Sequence, residues 1–240
     1  MTWPGKPPAL GSGGNAGAPS VSRWQKLLDH AISSGMNKRF LLWLPVLMLA
    51  VSCSTQRANK QSTITLFNGQ DLTGWVLMHG GEWTVEDGVL VGRNGQGWST
   101  DPEQSGSWLR TDRTYGDFIL ELEYAIQGNS GILLRSALEK NPSFTGYEMQ
   151  ILADQGREPS KGSAGGLYDV VAATKNMSRA AGEWNHVRIL AEGTRIQIIW
   201  NDEEVVDILD ADRSAVGYIG LQNHDEKAVV KFRNIRLTEL

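Results

Sequence analysis

The chain has 240 residues, of which 40% are hydrophobic and 21% are charged, and its formal net charge is -4. This composition fits one globular domain with additional segments, and the acidic balance argues against a nucleic-acid partner. Cys53 is the only cysteine, which excludes both an intramolecular disulfide and a cysteine metal cage.

The first predicted element, residues 36–53, has the layout of a signal peptide. Lys38 and Arg39 give a basic start, and an apolar run follows over residues 40–51. That run is much shorter than the roughly 20 residues needed to span a bilayer as a helix. The sequence "LAVSC" resembles the lipobox of bacterial lipoproteins, which implies that Cys53 is lipidated. The alternative is a buried apolar helix that happens to end in a cysteine.

The signal-like segment divides the rest of the chain. Residues 1–35 are rich in Gly, Pro and Ser, and they precede a signal that normally begins a chain. We therefore expect translation to start at Met36, with a disordered extension as the alternative. Residues 54–61 then form a polar tether, and residues 62–240 form one domain. The predicted location is the bacterial cell envelope, on the periplasmic or outer-membrane face, with the lipid as the sole membrane anchor.

Residues 62–240 contain many short runs with a two-residue period and almost no helical pattern. The predicted strands are "TITLF", "EWTVE", "GVLVG", "DFILELEYAI", "GILLR", "YEMQIL", "WNHVRILAE", "RIQIIW", "EVVDIL", "GYIGLQN" and "VVKFRNIRL". Short strands separated by Gly, Asn and Asp predict an all-β fold, an antiparallel β-sandwich or jelly roll.

Two details of that fold follow from turn chemistry and strand parity. Turn residues at 191–195 and 200–205 predict consecutive hairpins across residues 184–209. Phe232 and Ile235 cannot face the same side of the last strand without an extra residue, which predicts a bulge near Arg233 and Asn234.

Two segments, residues 93–107 and 153–166, are too polar and too rich in Gly to form strands. Long irregular loops in a compact domain are commonly functional or disordered. The second loop directly follows the strand "YEMQIL", so we expect it at the mouth of a binding cleft.

The strand "GYEMQIL" carries the main functional signal. Its alternation places Glu148 and Gln150 on one face, away from its apolar residues. Arg135 ends the neighbouring alternating run "GILLR", and His224 ends the run "LQNH". We expect these four side chains to meet in one concave cleft. Gln222 and Asn223 have opposite strand parity, so at most one of them should face the cleft unless the strand already bends there.

Seven motifs in order resemble the 3-keto-disaccharide hydrolase domain family, which is similar to concanavalin A-like lectin and glucanase sandwiches. They are "LFNGQDLTGW", "WTVEDGVLVG", "YGDFILELEYAIQGNSGILLRS", "YEMQILAD", "GGLYDVVAATKN", "GEWNHVRILAEGTRIQIIWND" and "IGLQNHDEKAVVKFRNIRLTEL". The resemblance implies a concanavalin A-like jelly roll. It also implies cleavage of glycosides already oxidised to a ketone at C3, supplied by a separate sugar 3-oxidoreductase.

A C3 ketone acidifies the proton on C2, so a base can remove it and the leaving group can depart from C1. Such a site needs a general base, a donor to the enolate oxygen and an acid. Glu148 is the candidate base, Arg135 and Gln150 are candidate donors, and His224 is a candidate base or acid because imidazole exchanges protons near neutral pH.

Further candidates for sugar binding lie on strands and loops around this strand. They are Asn129, Ser130, Tyr168, Asp169, Lys175, Glu123 and Trp98. Each has an ordinary alternative as a turn residue, a solvated charge or a core aromatic. The spacing of paired carboxylates found in glucanases of this sandwich class is absent, which argues against retaining hydrolysis by two carboxylates.

Other functions stay open from sequence. A non-catalytic carbohydrate-binding module would present the same cleft, and a structural envelope lipoprotein is a third interpretation. No cofactor is predicted, although turn carboxylates at Asp71, Asp87 and Asp225 leave a structural calcium ion as an alternative.

Overall fold

The structure is a computed structural model that describes residues 62–240. The predicted signal segment, Cys53 and the tether therefore lie outside the described residues. Within the described range, no helix has both the length and the apolar character needed to cross a membrane.

The described residues form thirteen strands and one short helix. The strands are β1 (Thr63–Thr65), β2 (Trp75–Met78), β3 (Glu82–Glu86), β4 (Val89–Arg93), β5 (Trp108–Thr111), β6 (Phe118–Gln127), β7 (Asn129–Ser136), β8 (Tyr147–Leu152), β9 (Asn185–Glu192), β10 (Arg195–Trp200), β11 (Glu203–Ile208), β12 (Tyr218–Gln222) and β13 (Val229–Glu239). Helix α1 (Pro142–Thr145) lies between β7 and β8.

These strands build two antiparallel sheets. The first has the order β11-β10-β9-β6-β13-β4-β3, with β1 paired to the far end of β13, and the second has the order β2-β5-β12-β7-β8. The predicted all-β antiparallel sandwich of jelly-roll type is confirmed. Strands β2 and β5 were missed because each is only four residues long, too short to display a clear period.

Alternation along the strands creates the core between the sheets. In β6, Phe118, Leu120, Leu122 and Tyr124 are buried, and the residues between them are only partly so. In β8, the side chains that face the other sheet, such as that of Met149, join this core. The opposite face of the five-stranded sheet is therefore available for a site.

Both finer predictions about the first sheet are confirmed. Strands β9, β10 and β11 pair as consecutive antiparallel hairpins. The pairing of β13 with β6 shifts register between Arg233 and Arg236, and Asn234 has a φ of 55°, so the bulge lies where parity required it.

Candidate active site

A cavity of about 240 Å³ lies on the outer face of the five-stranded sheet, and we call it the Glu148 pocket. Strands β7, β8 and β12 form its floor, and α1 and two irregular segments form its walls. Its lining residues are Trp98, Ser99, Thr100, Asn129, Asn141, Ser143, Phe144, Glu148, Gln150, Tyr168, Gln222 and His224. The structure thus brings together six of the eleven residues that the sequence nominated for catalysis or sugar binding.

Strand pairing explains why Glu148 and Gln150 face the pocket. Glu148 lies opposite Leu133, and Gln150 lies opposite Gly131. Alternate residues of β8 point into the core instead, so the predicted division of this strand into two faces is confirmed.

Gly131 makes room for the carboxyl of Glu148. A Cβ atom at position 131 would lie 2.0 Å from Oε1 and 2.7 Å from Cδ of Glu148. The carboxyl therefore rests on the bare backbone of β7, which only glycine permits.

Burial controls the proton affinity of Glu148. The residue is only 2% exposed, and Oε1 has no hydrogen-bond partner within residues 62–240. Desolvation raises the pKa of Glu148 to about 7, and the side chains of Ser143 and Gln222 oppose that rise only in part. Near neutral pH this carboxyl can accept or release a proton, as a general base must.

Amide side chains surround the carboxyl. Gln150 Nε2 donates to Asn129 Oδ1 at 3.2 Å, which fixes both amides at the pocket wall. Gln222 Oε1 is buried and makes no hydrogen bond to the described part of the chain. The neighbouring Asn223 turns away and donates to the carbonyl of Arg93 at 2.5 Å. The prediction that at most one of Gln222 and Asn223 faces the cleft is confirmed, because Gln222 lines the pocket and Asn223 does not.

His224 lies where β12 has ended and pairs with Asp225. Nδ1 of His224 is 2.9 Å from Oδ2 of Asp225. Burial tends to raise the pKa of Asp225, but hydrogen bonds from His224 and from the backbone N–H groups of Lys227 and Ala228 hold it below its usual value. An ionised carboxylate only accepts hydrogen bonds, so Nδ1 is the donor and Nε2 is left for a ligand.

The walls contain residues that sequence reasoning missed. Just before α1, the side chain of Asn141 accepts a hydrogen bond from the backbone N–H of Ser143 at 3.1 Å and so caps the helix. It also donates to the carbonyl of Ser99 at 3.2 Å. Phe144 of α1 meets the ring of Tyr168 edge-on, with the ring centroids 5.9 Å apart. The signal that could have located this wall is the dipeptide Asn-Pro at 141–142, which is typical of a helix start.

Trp98 forms another part of the pocket wall. Its Nε1 donates to the carbonyl of Ser107 at 2.7 Å. Its ring packs on Gly106, where a Cβ atom would lie 2.4 Å from ring carbons. The indole is thus held in one orientation while its remaining surface borders the pocket.

The predicted role of Arg135 in the cleft is wrong. Arg135 has a φ of 52°, and the register of β7 against β12 shifts beside it, so a bulge turns its side chain to the inner side of the sheet. The guanidinium is fully buried, donates to the carbonyls of Gly116 and Gly193 and pairs with Asp117 at 2.8 Å. It joins the two sheets and does not line the pocket.

Ser130 and Glu123 are also misplaced by the sequence prediction. Ser130 lies opposite Ile151, one residue before the Gly131–Gln150 pair, so its side chain faces away from the pocket. Its buried hydroxyl donates to the backbone carbonyl of Gln222 at 2.7 Å. Glu123 belongs to the other sheet, where it pairs with Arg233 at 2.5 Å. Neither contributes to the pocket wall.

The loop at 153–166 does not form the mouth of the pocket. Its end runs along the edge of β8, where Gly165 N donates to the carbonyl of Gln150 at 2.9 Å. Of the segment that follows, only Tyr168 reaches the pocket, because Asp169 and Lys175 are exposed and point elsewhere. Residues 98–100 of the first loop line the pocket instead.

The described residues contain no cluster of three or more His, Cys, Asp or Glu side chains arranged to hold a metal ion. Asp71 is occupied by local hydrogen bonds from Asn68 and from the backbone N–H of Thr73. Asp225 is occupied by His224.

Comparison with known proteins agrees with this architecture. A model of the 3-keto-alpha-glucoside-1,2-lyase-like domain matches residues 62–238. A 3-keto-disaccharide hydrolase of Bacteroides thetaiotaomicron is 27% identical over 231 residues, covering 74% of this chain and 78% of that protein. A levanase of Bacillus sp. is 25% identical over 176 residues, covering 71% of this chain but only 18% of the levanase.

Solved structures share the fold. A provisionally assigned glycosyl hydrolase from Parabacteroides distasonis superimposes with a TM-score of 0.61 at 24% identity, covering 78% of this chain and 97% of that one. A Bacillus subtilis protein with a galectin-like fold gives a TM-score of 0.50 at 12% identity, covering 74% and 94% respectively.

Proposed function

The chain belongs to the 3-keto-alpha-glucoside-1,2-lyase-like domain family, and from that premise we propose that it cleaves 3-keto-glycosides by elimination and hydration, with Glu148 as the base. The observation that carries the proposal is the carboxyl of Glu148. It is buried in a pocket, one of its oxygens is unpartnered within residues 62–240, and its pKa is raised to about 7.

The first step removes the C2 proton of the sugar. The ketone at C3 delocalises the resulting charge onto its oxygen, so the base needs only modest strength and a fixed position. Gln150 and Asn129 stand beside Glu148 with amide groups, which can donate to the enolate oxygen or to sugar hydroxyls. The sequence assigned this donor role to Arg135 and Gln150, and in the proposal Asn129 replaces Arg135 beside Gln150.

The composition of the pocket favours elimination over direct hydrolysis. Glycosidases that hydrolyse an unactivated bond use two carboxyl groups on opposite sides of that bond. Among the described residues that line the Glu148 pocket, Glu148 carries the single carboxyl group. One base is sufficient when the ketone supplies the activation.

Cleavage of paired substrates tests the proposal. The purified protein should cleave a glucoside oxidised at C3 and leave the same glucoside without the ketone intact. Equal rates on both sugars would contradict elimination, because the unoxidised C2 proton is not acidic enough to remove.

A carbohydrate-binding module is the second candidate. The matched part of the levanase is a small fraction of that enzyme, an arrangement expected of an accessory module. A pure binding site, however, gains nothing from a buried carboxyl with an unpartnered oxygen, since desolvating that group costs free energy.

The substrate also implies a supplier and a location. A glycoside with a C3 ketone must come from an oxidoreductase that acts on sugars. We propose that the chain meets this product in the cell envelope, where lipidation of Cys53 would hold it.

A further inference from the structure

Residues 97–106 form a compact loop that supplies part of the wall of the Glu148 pocket. Its two ends meet at a neck, where the backbone N–H of Ser107 donates to the carbonyl of Gln96 at 2.8 Å, and the backbone N–H of Gln96 donates to Oγ of Ser107 at 2.5 Å. A short surface loop whose ends approach this closely is an Ω-loop, a type that is frequently functional. We call it the Trp98 loop, after its aromatic residue.

The Trp98 loop has little apolar surface with which to pack against the domain. Its tip, residues 99–104, is exposed apart from the half-buried Asp101, and the ring of Trp98 packs on Gly106 of the same loop. A segment with few buried apolar contacts opens at a low cost in free energy. The position of the loop therefore depends on its polar contacts with the rest of the domain.

Three hydrogen bonds from Asn141 hold the tip of the loop. Its Nδ2 donates to the carbonyls of Ser99 and Asp101, at 3.2 Å and 3.3 Å. Its backbone N–H donates to the carbonyl of Pro102 at 2.9 Å. Asn141 is only 1% exposed, so these bonds form where water competes poorly for the carbonyl oxygens.

A second polar contact from the tip is weaker. Nζ of Lys140 lies 2.9 Å from Oε1 of Glu103, and both side chains are more than half exposed. Exposed ion pairs of this kind contribute little free energy. Within residues 62–240, the tip makes no other hydrogen bond or ion pair outside the loop. Asn141 therefore provides most of the restraint on the loop.

The side chain of Asn141 also holds the start of α1. Its Oδ1 accepts from the backbone N–H of Ser143 at 3.1 Å, as a helix cap. Ser143 lines the pocket with Glu148, and its side chain contacts that carboxyl. One amide thus joins the Trp98 loop to the helix that contacts the proposed base.

We infer that Asn141 is a positioning residue, which holds the Trp98 loop against α1 and so completes the Glu148 pocket for sugar binding; this inference rests on the proposed function. The loop contributes three residues to the pocket lining, Trp98, Ser99 and Thr100. When the loop leaves α1, this part of the lining leaves with it. The apparent affinity for sugar is then reduced to the fraction of molecules in which the loop is attached.

Asn141→Ser separates the two contacts of this side chain. Serine caps a helix about as well as asparagine, so α1 and Ser143 should keep their places. A hydroxyl has one proton and a shorter reach, so it cannot replace the two donors that bind Ser99 and Asp101. Hydrogen exchange measured by mass spectrometry should become faster in residues 98–107 and stay unchanged in β6 and β9.

The kinetic constants test whether the attached loop matters for sugar. In Asn141→Ser, KM for a 3-keto-glucoside should rise ~10-fold, because two hydrogen bonds of ordinary strength shift an equilibrium by that order. The value of kcat should stay close to that of the unaltered protein, because Glu148 and α1 are not moved. A purely structural role would lower the folded fraction and leave KM unchanged.

Glu103→Ala is the matched control. It removes the exposed ion pair from the same tip of the loop, so hydrogen exchange and KM should both match those of the unaltered protein. Asn141→Asp is a second variant in case Asn141→Ser is poorly folded. Its carboxylate can cap α1 but has no N–H to donate, so it should release the loop in the same way.

Unchanged hydrogen exchange of the Trp98 loop in folded Asn141→Ser and Asn141→Asp would overturn the inference, and so would a released loop with an unchanged KM. The exchange measurement needs no substrate, so its result is independent of the proposed function. If the unaltered protein does not cleave the 3-keto-glucoside, the proposed function is wrong. The Kd for that sugar then replaces KM, and an equal Kd in the unaltered protein and in Asn141→Ser would overturn the inference as well.

Discussion

The carboxyl of Glu148 rests on the backbone of Gly131, so closely that a Cβ atom at position 131 would lie 2.0 Å from Oε1. Gly131→Ala should therefore move the carboxyl, since a side chain yields more easily than a strand. A displacement of about 1 Å can reduce a rate ~100-fold, so we expect kcat to fall by one to two orders of magnitude with a smaller loss of stability. Rates on a 3-keto-glucoside and thermal unfolding measure the two effects.

Gly162→Ala is the matched control for that substitution. A Cβ atom at position 162 would meet nothing within 4 Å, so activity and stability should both be retained. Full activity in Gly131→Ala would mean that the position of Glu148 does not matter to the reaction.

The raised pKa of Glu148 predicts a pH dependence of activity. A general base must be ionised to accept the C2 proton, and the pKa of Glu148 is about 7. The value of kcat/KM should therefore rise with pH through about 7 and approach a plateau above it. A pH–rate profile that is flat from pH 5 to 9 would contradict this assignment.

The same shift predicts a pH dependence of stability. The usual carboxyl pKa of 4.5 is raised to about 7 in the folded protein, so between these values the folded state binds a proton that the unfolded chain has released. This contribution to the free energy of unfolding is complete below pH 4.5 and is lost as pH rises through 7.

Glu148→Gln should abolish this loss of stability at high pH, because the amide is neutral at every pH. Relative to the unaltered protein, the variant should gain stability on going from pH 5 to pH 8, by up to about 3 kcal/mol. Urea unfolding at the two pH values measures the difference. An identical change in both proteins would show that the carboxyl is not desolvated.

Arg135 should matter for stability and not for catalysis. Its buried guanidinium satisfies the carbonyls of Gly116 and Gly193 and pairs with Asp117. Arg135→Met would leave those carbonyls without donors, at a cost of about 2–4 kcal/mol, while kcat of the folded fraction stays unchanged. A selective loss of kcat with normal stability would restore Arg135 to the active site.

Cys53 tests the predicted anchor, which lies outside the described residues. If the cysteine carries the lipid, Cys53→Ala should move the protein from the membrane fraction to the soluble fraction after cell lysis. Ser52→Ala, which keeps the cysteine and a small neighbour, is the control and should remain in the membrane fraction. An unchanged membrane pellet for Cys53→Ala would mean that another part of the chain holds it there.

Strand parity predicted the main features of the site and also explains its main error. The two-residue period of β8 placed Glu148 and Gln150 on one face, and the same rule separated Gln222 from Asn223. The rule failed at Arg135 because a bulge adds one residue to β7 and reverses the faces beyond it. The corresponding bulge at Asn234 was predictable, since two apolar side chains required it.

The residues that form the walls of the pocket were harder to predict from the sequence. Trp98 was nominated from the composition of its loop, but Ser143 and Phe144 come from a helix of four residues, which has no period to detect. Strand parity also makes no prediction for loop residues, because side chains alternate between two faces only within a strand. Asp169 therefore seemed a neighbour of Tyr168 in the pocket, although only the tyrosine faces it.

The central claim is that Glu148 acts on bound sugar as a base, and one comparison tests it most directly. The unaltered protein, Glu148→Gln and the control Glu123→Gln, which lies on the other sheet, are measured for turnover and for affinity toward the same 3-keto-glucoside. We predict that Glu148→Gln lowers kcat ~100- to 10,000-fold while its Kd and both constants of the control stay close to those of the unaltered protein. Unchanged turnover in Glu148→Gln would contradict the claim. An unaltered protein that binds the sugar without cleaving it, with a Glu148→Gln variant that loses affinity, would also contradict it and would identify the site as a binding site alone.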